Sequence, residues 1–81
     1  MRRHGGARVS WLLEDSLRVT IENDPDLVSS FTEWCEDHPD VEVISRIANY
    51  DSLRAVFHSK HRDDLVRVLS GLYTEAHRED A

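Results

Sequence analysis

Apolar and polar residues alternate without error along Leu17-Arg18-Val19-Thr20-Ile21-Glu22. That period of two predicts a strand with one face on a core and the other free. The residues just ahead of it recur. Asp15-Ser16-Leu17-Arg18 is matched by Asp51-Ser52-Leu53-Arg54, and each copy opens an alternating run, Leu17-Val19-Ile21 in the first and Leu53-Ala55-Phe57 in the second. Each run leads to an Asp-Leu-Val that enters a helical pattern, at Asp26 and at Asp64. The offset is 36 residues at the first match and 38 at the second, which places a two-residue insertion between strand and helix in one copy. The chain therefore reads as two strand–strand–helix units.

The remaining elements follow in order. Val9, Trp11 and Leu13 alternate over residues 8–13 and predict a strand, with Glu14-Asp15-Ser16 as the turn after it. Asn23-Asp24-Pro25 starts a helix, because Asp24 can accept from the free amides of the first turn and Pro25 suits the first helical position. Leu27, Phe31, Trp34 and Cys35 form its apolar stripe, and His38-Pro39-Asp40 ends it. Val41, Val43 and Ile47 mark the inward side of a third strand, and Leu53, Ala55 and Phe57 that of a fourth. The last helix begins at Ser59 or His61 with a stripe of Leu65, Val68, Leu69, Leu72, Tyr73 and Ala76, and frays from His77. Gly71 within it predicts close backbone packing, since glycine there costs about 1 kcal/mol against alanine.

The fold class expected is α+β: two ββα repeats, residues 8–38 and 41–78, forming a four-stranded, mostly antiparallel sheet with both helices on one face. Residues 1–7 read as a flexible basic tail. One sheet face is left uncovered. Alternation assigns to it Leu12, Arg18, Ile44, Arg46, Ala48, Arg54 and Val56, a surface suited to a homodimer or a partner if its apolar members cluster.

Charge changes the picture more than composition does. The 81 residues carry a net −6, but residues 1–13 hold +3, residues 14–42 hold −9 and residues 43–81 balance. The acids concentrate on the first helix and its flanks. Asp26, Glu33, Glu36 and Asp37 fall on the outer side of that helix, with Asp40 and Glu42 just beyond. Such a surface is matched to a larger protein with a basic face. It disfavours direct nucleic-acid binding, which needs clustered cations.

Chemistry is sparse. There is no glycine-rich phosphate loop and no nucleophile elbow, and Asp63-Asp64 are adjacent on a helix and point apart. The chain is expected not to be an enzyme and to need no cofactor. One metal arrangement is conceivable: Cys35 and His38, three apart, and His58 and His61, three apart, could meet around a tetrahedral zinc. The single cysteine rules out an internal disulfide and fits a reducing compartment, so the expected location is the cytoplasm. No apolar run is long enough to span a membrane.

From His38 to Leu69 the pattern resembles the later part of a ferredoxin-like regulatory domain, of the kind that binds amino acids in bacterial and archaeal regulators. Those domains end on a strand, which the tail from Thr74 does not supply, and no functional residue carries across. The resemblance implies a small homodimeric regulatory or ligand-binding domain. In size, acidity and lack of chemistry the chain is similar to small phage-encoded inhibitors of host nucleases and to anti-CRISPR proteins. That likeness implies an inhibitor or regulator that docks on a larger partner.

Overall fold

The computed structural model describes residues 6–76. Over them the chain runs β1 (Gly6–Leu13), β2 (Ser16–Glu22), α1 (Pro25–Asp37), β3 (Val43–Ala48), β4 (Leu53–His58), a 3₁₀ turn (Ser59–His61) and α2 (Arg62–Ala76). The strand β1 begins at Gly6, so two residues assigned to the basic tail belong to the sheet, and the rest of that tail lies outside the described residues. The four strands make one antiparallel sheet in the order β1-β2-β4-β3, with the two alternating runs as its centre. Leu17, Val19 and Ile21 of β2 and Leu53, Ala55 and Phe57 of β4 face the helices. They pack with Leu27, Val28 and Phe31 of α1 and Leu65 and Leu69 of α2 in a single buried cluster. Phe31 meets Phe57 edge-to-face with ring centroids 6.0 Å apart, a preferred aromatic geometry.

The register relates the two halves. Moving each residue to its counterpart 36 positions away, up from β2 and down from β4, turns the pair Leu17–Phe57 into Leu53–Ile21, and Arg18–Val56 into Arg54–Thr20, both of which are also pairs. The pairing thus turns about the Val19–Ala55 pair. The same shift carries Ala7–Ile21 of the first hairpin onto Val43–Phe57 of the second. The aspartates that open the repeated tetrapeptides share a task. The Asp51 carbonyl accepts from the Asp24 N–H at 3.0 Å, and the Asp15 carbonyl accepts from the Ser59 N–H at 2.9 Å. Each therefore ties the segment entering a helix of one half to the hairpin turn of the other. Residues 16–76 follow strand–helix–strand–strand–helix, the order of a ferredoxin-like unit before its last strand. The fourth strand is β1, which comes from the N-terminal side.

The helix start behaves as its residues require. Asn23 takes a φ of 56°, a left-handed conformation that asparagine tolerates better than most residues. Asp24 is buried and accepts from the Leu27 N–H at 3.1 Å, with Pro25 in the first turn.

Three expectations are corrected here. The alternation of β3 is broken by a bulge at Ile44: Val43 pairs with Phe57, but Ser45 pairs with Val56 and Arg46 with Ala55. An extra residue reverses the faces of everything after it. Arg46 and Ala48 therefore lie on the helix side rather than on the open face, while Ile47, expected inward, stands on the open face 70% exposed. A second bulge, between Trp11 and Leu13, puts Leu12 and Leu13 together opposite Ser16 on the open face. Trp11 does share the inner face with Leu17, but it is 61% exposed, so it is no core residue. Gly71, finally, is not a close-packing site, because a Cβ built there meets nothing within 4 Å. Gly71→Ala is accordingly expected to raise unfolding free energy by about 0.5–1 kcal/mol, through helix propensity alone. A urea midpoint that stays put or falls would show that the position carries a constraint.

Candidate functional site

The acidic residues are where the helical pattern puts them. Leu27, Val28 and Phe31 are the buried side of α1, which turns Asp26, Glu33, Glu36 and Asp37 outward, and all four are exposed. The chain leaves the helix through His38 and Pro39, and Asp40 and Glu42 extend the same charge toward the start of β3, also exposed. The described ion pairs are Arg8–Glu22, Arg62–Asp63 and Arg67–Asp64. None of the six acids joins an ion pair among the described residues. The four helix acids line the outer side of α1, and Asp40 and Glu42 follow toward the start of β3, where Lys60 shares a hollow with them.

Arg46 borders that surface because of the Ile44 bulge. From the inner face of β3 it acts on the α1 residue Cys35. Burial pushes the Cys35 thiol above its ordinary pKa, the Arg46 guanidinium pulls it down and Glu36 adds a smaller upward push. Burial prevails, so the thiol is protonated and unreactive at neutral pH. Since the folded state holds this proton more tightly than the unfolded one, the thiol leaves stability unchanged below its unfolded pKa and lowers it as pH rises above. Iodoacetamide is expected to modify Cys35 more slowly than a free cysteine, with its rate rising at higher pH than that of a free thiol. Fast alkylation at pH 7 would show an exposed thiolate and contradict the packing.

His38 and His58 are occupied locally. His38 closes α1: its ring lies on Trp34 with centroids 4.3 Å apart, and its Nδ1 donates to the Trp34 carbonyl at 2.8 Å. One of the carbonyls left over at a helix end is thereby satisfied. Trp34 in turn stacks on Phe31, with ring planes 7° apart. His58 Nδ1 accepts from the Lys60 N–H at 3.0 Å and caps the 3₁₀ turn. His58 and His61 share a shallow hollow of about 160 Å³ with Asp40, Glu42, Ile44 and Lys60, and neither Cys35 nor His38 reaches it. The zinc quartet is thus not assembled. Among the described residues no group of three or more His, Cys, Asp or Glu side chains is placed to hold a metal.

The open sheet face carries Arg18, Arg54 and Val56 as expected, with Ile44, Ile47 and Leu13 exposed around them. It is less open than alternation implies. Thr20 lies between Arg8 and Arg54 in the register and is only 4% exposed. The Arg18 Nε is shielded and makes no hydrogen bond among the described residues. Sequence reasoning missed Ile47 and Leu13 as members of this face. Nothing in the spacing marked the bulge: Val43 and Ile47 are four apart, as one face of a straight strand requires.

No helix among the described residues is long and apolar enough to cross a membrane. No family model matches the chain, and no curated protein or solved structure matches it either.

Proposed function

We propose that the protein is a non-enzymatic binding module, an inhibitor or regulator that docks the acidic flank of α1 onto a larger partner with a basic surface. One observation supports this reading: Asp26, Glu33, Glu36 and Asp37 stand exposed along α1, exposed Asp40 and Glu42 follow them, and none of the six joins an ion pair among the described residues. Like charges held together by a fold repel one another, and a basic partner relieves that repulsion on contact. Docking of this kind is fast and salt-sensitive, because the field of the patch steers the encounter. A partner whose own basic surface serves nucleic acid would be blocked by such docking, which is how small acidic inhibitors work.

The test is a triple reversal, Glu33→Lys, Glu36→Lys and Asp37→Lys. The three positions are exposed, so each change is expected to shift stability by no more than about 0.5 kcal/mol. Tagged wild-type protein, incubated with lysate of its native host at low salt, is expected to retain a basic protein that raised salt releases. The folded triple variant is expected to lose it. Equal capture by the two proteins would sink the electrostatic docking model.

A further inference from the structure

We propose that β1 pairs along its free edge with β1 of a second copy, seating Trp11 of each chain in the cleft between β1 and α2 of the other. The sheet has two edge strands, and they differ. In β3 the edge is interrupted by the Ile44 bulge and carries the inward-facing Arg46, two devices that obstruct strand addition. From Gly6 to Trp11, β1 has neither: it pairs regularly with β2, contains no proline and carries one charge, Arg8, on the face away from the helices.

Two features on the inner side of β1 match each other. Trp11, toward the end of the strand, projects on the helix side and is 61% exposed. Beside the first half of the strand lies a cleft of about 450 Å³, walled by Ala7, Val9, Leu69 and Tyr73 and by Val66, itself an exposed apolar residue. A two-fold axis normal to the sheet keeps each residue on its own face, which requires an antiparallel register that pairs inner residues with inner ones. With Val9 opposite Val9 of the second copy, Trp11 falls opposite the second copy's Ala7, at the mouth of that cleft, and the relation is reciprocal. Arg8 falls opposite Ser10, so no like charges oppose. The two helix layers then share one side of an eight-stranded sheet. The acidic flank of α1 lies toward the β3 edge, at the far side of the sheet, and stays free, so this inference does not depend on the docking partner.

Sedimentation equilibrium of the full chain at about 100 μM, a concentration that detects association of even modest affinity, is expected to give twice the 9.4 kDa of one chain. Trp11→Glu, at a position exposed in the single chain, is expected to return the mass to 9.4 kDa with an unchanged circular dichroism spectrum. In a Cys35→Ala background, Val9→Cys is expected to form a disulfide-linked dimer under mild oxidation, because the axis brings the two copies of residue 9 together, whereas Ser10→Cys is not. A wild-type chain that sediments as a monomer would overturn the proposal. So would a dimer that survives Trp11→Glu but is lost with Ile47→Glu, since that pair of results assigns association to the open sheet face. Cross-linking at Ser10 in place of Val9 would overturn the register.

Discussion

Replacing Phe57 with alanine is expected to cost about 3–5 kcal/mol of unfolding free energy. The ring is fully buried at the last inward position of β4, where it meets Leu17 across the β2 pairing, Val43 across the β3 pairing and the edge of Phe31 from α1. Truncation leaves a cavity bounded by both central strands and a helix, which cannot collapse without moving the sheet. A chain of 81 residues has a total stability of about 4–12 kcal/mol, so the loss moves the urea midpoint far toward zero. Trp11→Ala in the single chain is the contrast. Trp11 has the same inward register but is mostly exposed, and its removal is expected to cost well under half as much. A Phe57 variant with near-wild-type stability would mean that β4 is assigned to the wrong face.

The second large effect concerns the unity of the core. Leu27 at the start of α1 and Leu65 at the start of α2 are both fully buried and belong to the same cluster. Each change to alanine is expected to cost about 2–5 kcal/mol. Together they approach the whole stability of the domain, so the double variant is expected to show no cooperative transition and to give the circular dichroism of an unfolded chain. Were the halves separate folding units, the double variant would melt in two independent steps. A biphasic melt would therefore refute a single core, since one cooperative transition is the rule for a domain of this size.

Much of this architecture is legible in residue spacing. The alternation of residues 17–22 and 53–57 finds the two central strands because both are flanked on each side and have no freedom of register. Asp24-Pro25 fixes the start of α1 through chemistry that is local to four residues. The edges are harder to read. In β3 the bulge at Ile44 changes which residues face inward, and the even interval from Val43 to Ile47 gives no sign of it. In β1 the face of Trp11 is readable but its exposure is not. Whether an inward position is covered depends on how far α2 extends over the strand, and that is set by packing rather than by neighbours in sequence. The acidic flank was legible because helical spacing fixes the outer side once Leu27 and Phe31 fix the inner one. The metal quartet failed for the opposite reason: two histidines three residues from a partner met neighbours of their own, the Trp34 carbonyl and the Lys60 amide, before they could meet each other.

Gly6, at the start of β1, and Thr74, near the end of α2, line the same cleft. The two ends of the described chain are therefore neighbours, and the edge strand is attached to the rest of the sheet by a two-residue turn at Glu14-Asp15. A short linker between those ends, with the backbone opened at that turn, would move the edge strand from first to last in the chain while leaving every contact in place. The circular permutant would read strand–helix–strand–strand–helix–strand. The sheet needs an antiparallel strand beside β2 and is indifferent to which terminus delivers it.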